Sequence, residues 1–339
     1  MRLSGKPILT LIAAAAAIAL IIALTLLWGV RETLEKDISL PTEKEIVHSE
    51  YIDSVAPAPV HIILVGDIML SRQVGAVMKS MKDYRYPFLE VADVLREADI
   101  TFGNLEGPVS SLGTDLGSVY SFRADPMAVE GLSFAGFDVV SLANNHILDW
   151  GREALLDTIS RLSSAGIKSV GAGAEERSAD SPAIFDVRGT KVGFLAYTTL
   201  YPKSLEAGAD NAGVSNIDKA AEEVKRLRED ADIIVVSVHW GEEYELFSDE
   251  AQRELAHRFV EAGADIVVGH HPHVAEEVER YKNSWIFYSL GNFVFDQTFS
   301  EETRTGLVIE VIADKKGVLE ISTQHVYISK TFQPTFVDL

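Results

Sequence analysis

The sequence predicts an α/β domain with a mixed, largely parallel sheet, and three observations lead there. From Val60 onward, short apolar runs alternate with amphipathic stretches, the rhythm of repeated strand–helix–strand units. After Glu276 the apolar runs follow one another with few helical stretches between them, so further strands, and a second sheet, are expected. The polar motifs stand just beyond the last apolar residue of each run. That is the carboxyl end of a strand, where open α/β sheets bind their ligands.

Taken in order, the chain opens on Arg2 and Lys6, then an uninterrupted apolar or small run over residues 8–28, then Glu32, Glu35 and Asp37. About 20 such residues cross a bilayer as a helix, and the flanking charges leave the N-terminus in the cytoplasm. The alternative is a cleavable signal peptide, whose apolar region is shorter, about 7–15 residues. The expectation is therefore an anchor over residues 1–30, a single pass through the cell membrane, and the rest of the chain outside the cytoplasm. Residues 31–59 are polar and end in Val-Ala-Pro-Ala-Pro, the composition of a tether. Residues 60–339 form the folded domain.

Within that domain, strands are expected at residues 60–65, 99–102, 138–142, 232–238 and 265–268. Residues 183–187 and 191–197, joined by Arg188-Gly189-Thr190, read as a hairpin. Helices are expected at 86–98, 152–165, 217–229 and 249–262, and late strands at 285–289, 306–313 and 318–328.

Composition narrows the function. The 339 residues carry a formal net charge of −21, which argues against nucleic-acid binding, since that wants a basic face. Cysteine is absent, so there is no disulfide, no thiolate metal site and no cysteine nucleophile. At 47% hydrophobic residues the chain can fill a large core.

The strongest local signal is Asp265-Ile-Val-Val-Gly-His-His-Pro-His-Val274. Of nine histidines in the chain, three stand here at the end of a strand. Neutral imidazole is the commonest protein ligand for transition metals, and His271 and His273 are placed to share one volume across Pro272. Other strand ends offer partners. Gly66-Asp67-Ile68-Met69 supplies an acid, although an aspartate there also suits a helix N-cap. Asn104-Leu105-Glu106 adds another acid, and Asn144-Asn145-His146-Ile147-Leu148-Asp149-Trp150-Gly151 holds two amides, an imidazole and an acid. His239-Trp240-Gly241-Glu242 contributes a histidine. Leu290-Gly291-Asn292-Phe293-Val294-Phe295-Asp296 reads equally as an ordinary strand or as Asn292 and Asp296 orienting metal ligands. Acids and histidines converging on one rim are what a divalent metal requires.

These six motifs, in this order, closely resemble the CapA family of poly-γ-glutamate capsule synthesis proteins, a branch of the calcineurin-like metallophosphoesterases. The resemblance covers about residues 60–299. It implies a four-layer α-β-β-α sandwich and one or two divalent ions, manganese, iron or zinc. By motif, Asp67 and His273 hold one ion, Glu106 bridges, and Asn145, His239 and His271 hold the other. His146 corresponds to the histidine that protonates a leaving group. Asn104, Asn144, Asp149, Glu242, Asn292 and Asp296 are expected behind the ligands or against substrate, with Arg123 and Arg304 as candidate anion contacts. Position 69 departs from the phosphoesterase pattern: Met stands where those enzymes have a histidine ligand.

The resemblance implies a membrane-anchored component of poly-γ-glutamate synthesis, working with membrane subunits of a polymer synthase on an anionic polymer. The alternatives are a metal-dependent hydrolase acting on an envelope ester, and a scaffold without catalysis. The last sits poorly with the retained acids and imidazoles, which are costly to bury without a metal.

Overall fold

The computed structural model describes residues 58–201 and 203–338. The expected membrane anchor at 8–28 and nearly all of the tether lie outside the described residues. Among the described residues no helix is long and apolar enough to cross a membrane.

The chain runs through β1 (Val60–Ile68), α1 (Arg72–Met81), α2 (Ala92–Leu95), β2 (Ile100–Leu105), α3 (Val129–Ala135), β3 (Val139–Ser141), α4 (Gly151–Ser164) and β4 (Lys168–Val170). It continues through β5 (Ala172–Gly173), α5 (Glu176–Ala179), β6 (Ala183–Val187), β7 (Thr190–Thr198), β8 (Gly213–Val214), α6 (Ala220–Leu227), β9 (Ile233–His239) and α7 (Glu250–Ala262). Then come β10 (Ile266–His270), β11 (Val278–Tyr281), β12 (Ser284–Phe287), β13 (Asn292–Val294), β14 (Thr305–Asp314), β15 (Gly317–Ile328) and β16 (Pro334–Val337).

Two large sheets result. The first has the order β16-β15-β14-β1-β2-β3-β4, with β13 also paired to β1, and the second the order β11-β12-β10-β9-β7-β6. Parallel pairing links β1 through β4, and likewise β7, β9, β10 and β12. The later strands β14 to β16 add on antiparallel.

Strand alternation sorts the apolar residues into layers. Ile62, Leu64, Ile100 and Phe102 of the first sheet meet Phe194, Val235, Ile266 and Val268 of the second in one core between the sheets. The opposite face of the first sheet, through Ile63 and Val65, packs on Val74 and Met78 of α1, Leu132 of α3 and Leu155 of α4. The opposite face of the second, through Ile234, Val236 and Val267, packs on Val224 and Leu227 of α6 and Phe259 of α7. The layers are helix, sheet, sheet, helix.

Several elements lie outside the expected set, among them α1, α3, β4, β11 and β16, and one expected helix is not continuous. Helix α1 falls in a stretch for which no element is expected, with Val74 and Met78 turned inward at helical spacing. The helix expected over 86–98 is two short pieces, a 3₁₀ turn at Tyr86–Phe88 and α2, because Val91 leaves helical dihedrals at φ −121°. Burial at 88, 91, 92 and 95 has helical spacing without a continuous helix. Helix α7 starts where a capping box fixes it: Gln252 N donates to Asp249 Oδ1 at 2.7 Å and Asp249 N to Gln252 Oε1 at 2.8 Å.

Candidate metal centre

The same alternation that builds the core aims side chains at its rim. In β9, Ile233 and Val235 face the intersheet core, so His239, two steps on from Ser237, stays on that side. In β10, Ile266 and Val268 do likewise and place His270 there. In β2, Ile100 and Phe102 carry Asn104 inward. Asp67 breaks parity through register shifts on both sides of it in β1. Here Gly66 is required, since a Cβ would lie 2.0 Å from the Gly291 carbonyl oxygen.

Asp67 is the hub. Its Oδ1 accepts from Asn104 Nδ2 at 2.8 Å, and its Oδ2 accepts from the His271 amide at 3.2 Å. His270 Nδ1 stands 3.2 Å from Oδ1 and His273 Nδ1 3.3 Å from Oδ2. Burial opposes its ionisation, but hydrogen bonds and charge from His270 and His273 hold the carboxyl well below its ordinary range. Asn104 Nδ2 lies also 3.3 Å from His239 Nδ1 and 3.5 Å from Glu106 Oε2, while its oxygen accepts from Asn144 Nδ2 at 3.2 Å. Asn144 ties this amide pair to the backbone at Leu105, at 2.8 Å.

Glu106 is buried with Oε1 unpartnered. The nearest imidazole nitrogens are His273 Nε2 at 3.8 Å and His146 Nε2 at 3.9 Å. Burial, reinforced by the charges of Asp67, Glu243 and Asp149 and opposed by His273, pushes its carboxyl well above the usual range. His273 responds in the opposite sense. Burial pulls it down, but Glu106 and Asp67 raise it to about 9. Its Nδ1 also sits 3.0 Å from Asn292 Oδ1. His271 is pulled down to about 4 by burial and the neighbouring His273 charge, and its Nδ1 has no partner. His239 is likewise held well down by burial and His271, with Nε2 2.9 Å from Asn145 Oδ1. His271 and His273 adopt φ of +98° and +61°, conformations that cost a non-glycine residue roughly 1–3 kcal/mol and cluster at functional sites.

Asp67, Glu106 and His273 offer ligand atoms within 4.8 Å of one another, and so do Glu243, His271 and His273. Ligands about 2.1 Å from a metal stand roughly 3 Å apart on its sphere. The spacing, the orphaned Glu106 oxygen and the orphaned His271 nitrogen all fit a divalent ion held by oxygen and nitrogen.

His146 stands at the edge of this set. Asp149 Oδ2 holds its Nδ1 at 2.7 Å, and Phe122 stacks on its ring at 3.8 Å between centroids. Asp149 in turn accepts from the Phe122 amide at 2.8 Å. A cleft of about 240 Å³ opens there, lined by Arg72, Tyr120, Phe122, His146, Glu243, Tyr244, His273, Asp296, Gln297 and Phe299. Asp296 lies on its wall rather than behind a ligand, paired with Arg72 at 3.0 Å and accepting from the Gln73 amide at 3.2 Å.

The cleft's arginine is Arg72. Arg123 lies over Trp150, and Arg304 donates to the Ile328 carbonyl at 3.0 Å; neither lines the cleft. Glu242 is exposed, and the next residue, Glu243, is the one that reaches the histidines. The motifs of the sequence give no role to Arg72, Tyr120, Phe122, Glu243, Tyr244 or His270. Of these, His270 alone has a signal, through its place in the histidine cluster and through strand parity.

A family model described as "Bacterial capsule synthesis protein PGA_cap" matches residues 61–297. The chain is 35% identical over 257 residues to "Capsule biosynthesis protein CapA" of Bacillus anthracis, over 72% of this chain and 62% of that one. It is 34% identical over 272 residues to "PGA biosynthesis protein CapA" of Bacillus subtilis (strain 168), over 79% of this chain and 70% of that one. The match thus spans less than two thirds of the first relative's length. The crystal structure of a hypothetical protein from Thermus thermophilus superposes with a TM-score of 0.51 at 17% identity, over 78% of this chain and 98% of that one, a likeness of fold. The family match runs from the start of β1 past Asp296 and so takes in every strand end that feeds the centre. This chain belongs to the bacterial capsule synthesis protein family PGA_cap.

Proposed function

We propose that the chain is a membrane-anchored, extracytoplasmic component of poly-γ-glutamate biosynthesis whose metal centre handles an anionic group of the polymer or of an ester attached to it. The observation that carries this reading is the buried Asp67–Glu106–His273 set, in a chain whose relatives are named for capsule and PGA biosynthesis. Asp67, Glu106 and His273 would hold one divalent ion, and Asn145, His239 and His271 a second, of manganese, iron or zinc, in the four-layer frame of the metallophosphoesterases. When bound, such ions supply Lewis-acid polarisation and charge for an anionic ligand.

The residues supply the rest. Asn104 and Asn144 fix the orientation of Asp67 and Glu106, and Asn292 does so for His273. Arg72 presents a cation on the cleft wall. That matters because a protein of net charge −21 has no long-range attraction for polyglutamate, so binding must be local. Residues 8–28 would anchor the chain beside membrane subunits of a polymer synthase, leaving the folded domain outside.

A second reading, a metal-dependent hydrolase, is favoured by the His146–Asp149 pair. Asp149 orients the imidazole so that Nε2 faces Glu106 and the cleft, the place for a general acid.

The test of the first reading is genetic. Deleting the gene should abolish surface poly-γ-glutamate, measured as glutamate released on acid hydrolysis. Wild type should restore it and Asp67→Ala should not. Polymer that persists after deletion sinks the proposal. Protease added to intact cells should cut beyond residue 60, and the chain should stay with membranes. A soluble form starting near residue 30 would show a cleaved signal instead.

A further inference from the structure

We infer that Glu243 is a metal ligand on the open side of the centre, completing the site that Met69 leaves short. The inference rests on the metal-centre reading above and adds a donor outside the set that the sequence motifs supply.

Met69 does not turn toward the centre. It is fully buried in the core against α1, and its sulfur accepts from the Ser71 hydroxyl at 3.0 Å and the Ser71 amide at 3.2 Å. Asp67, Glu106 and His273 therefore offer three donors, and a divalent ion takes four or more. Glu243 stands beside this set, sharing His273 with it, and its charge reaches Glu106. A carboxylate oxygen of Glu243 lies within 4.8 Å of ligand nitrogens of both His271 and His273. His271 is 7% exposed and its Nδ1 has no partner in the protein, so a buried nitrogen lacks the contact that a ligand would give it.

The backbone holds Glu243 there. Trp240 N donates to the His270 carbonyl at 3.1 Å and Tyr244 N to the Pro272 carbonyl at 2.8 Å, so the segment is pinned on both sides to the histidine turn. Between the pins, Gly241 at φ +77° reverses the chain, and a Cβ there would lie 2.8 Å from Gln252 Nε2. Tyr244 takes φ +69° and receives a hydrogen bond from Gln297 Nε2 on its hydroxyl at 3.0 Å. Carboxylates are hard donors. Asp67, Glu106 and Glu243 with one imidazole favour an ion such as Mn²⁺ over softer metals.

The test is Mn²⁺ binding to the purified full-length chain, followed by titration calorimetry and by metal content after gel filtration. Wild type, Glu243→Gln, Glu243→Asp and Asp67→Ala are compared. Glu243 is exposed, so the amide is expected to leave the fold intact, which far-UV circular dichroism checks. Glu243→Gln should weaken one Mn²⁺ equivalent by roughly tenfold or more, the scale on which metal sites respond to lost support, with Glu243→Asp intermediate. Wild-type affinity in Glu243→Gln, alongside lost binding in Asp67→Ala, overturns the inference and leaves the centre standing. No binding of Mn²⁺, Fe²⁺ or Zn²⁺ by wild type overturns both.

Discussion

Glu106→Gln should stabilise the metal-free protein and destabilise the metal-loaded one. The side chain keeps its shape, so packing is untouched and the effect is electrostatic. In the folded protein Glu106 is buried with one oxygen unpartnered, and its carboxyl is pushed well above its ordinary value of 4.5. A carboxyl whose folded pKa is raised contributes stability below the unfolded pKa, and that contribution is lost as pH rises through the folded pKa. Metal-free wild type should therefore lose stability as pH rises from about 4.5, and Glu106→Gln should not show this loss. An orphaned buried polar group costs about 1–3 kcal/mol, and a charged one more. The amide leaves the same polar atom unpartnered, so only the extra cost of the charge separates the two: in EDTA at pH 8 the variant should exceed wild type by about 1–2 kcal/mol, with the gap closing toward pH 5. With Mn²⁺ at 100 times its Kd, wild type gains about 2.7 kcal/mol by mass action, whereas a neutral amide oxygen retains little of that gain, so the order reverses. Urea denaturation at pH 5 and pH 8, with EDTA or Mn²⁺, measures all four corners. A variant less stable than wild type in EDTA at pH 8, or an equal gain from Mn²⁺ in both, refutes the reasoning.

Other side chains invite equally direct tests. Trp240→Phe removes the hydrogen bond from Nε1 to the Tyr288 carbonyl at 2.9 Å and leaves a void in the core over α7; a loss of about 2–4 kcal/mol in urea denaturation is expected, and less than about 1 kcal/mol would show that the carbonyl finds another donor. If the protein hydrolyses phosphodiesters, His146→Ala should cut turnover of a chromogenic diester by about 10²–10⁴ while Mn²⁺ content holds; unchanged turnover would remove His146 from the chemistry. Arg72→Gln should weaken binding of a γ-linked glutamate oligomer, by about tenfold for a charge-assisted contact of roughly 1.5 kcal/mol, with a reduced salt dependence; a salt response equal to that of wild type would place the anion elsewhere.

Much of the centre is legible in the sequence because period-2 alternation is a geometric rule. Once residues 233–238 and 265–268 are read as strands, the polar residues that follow must stand at one rim, and Asp67, Asn104, His239, His271 and His273 gather there. What escapes the sequence depends on turns and on distant partners. Glu243 rather than Glu242 reaches the histidines because Gly241 takes a positive φ, and nothing in Trp-Gly-Glu-Glu discloses that dihedral. Arg72 belongs to the cleft because Asp296, far downstream in the chain, pairs with it, an association no local pattern records. Helix α1 has no side-chain hydrogen bond at its N-cap and a glycine inside, which hides its start. Even so, Val74 and Met78 mark its inner face. Tyr86–Phe88 and α2 show the converse error, since helical spacing of buried residues reports only which side faces the core.

The donors of the centre are divided between the two sheets, and that division sets a time for metal uptake. Asp67, Asn104 and Glu106 belong to the first sheet, and His239, His270 and the turn at His271–His273 to the second. The hydrogen bond from the His271 amide to Asp67 closes a loop of 204 residues. Contacts so far apart along the chain form late, after the entropy of closing the intervening loop has been overcome. Neither sheet alone presents more than a fragment of the coordination sphere, so a nascent or half-folded chain offers an ion little to hold. Tight metal binding then reports that β1, β2, β9 and β10 have all docked. Capture of the ion would be the closing event of folding, and its release by a chelator the first step in loosening one sheet from the other.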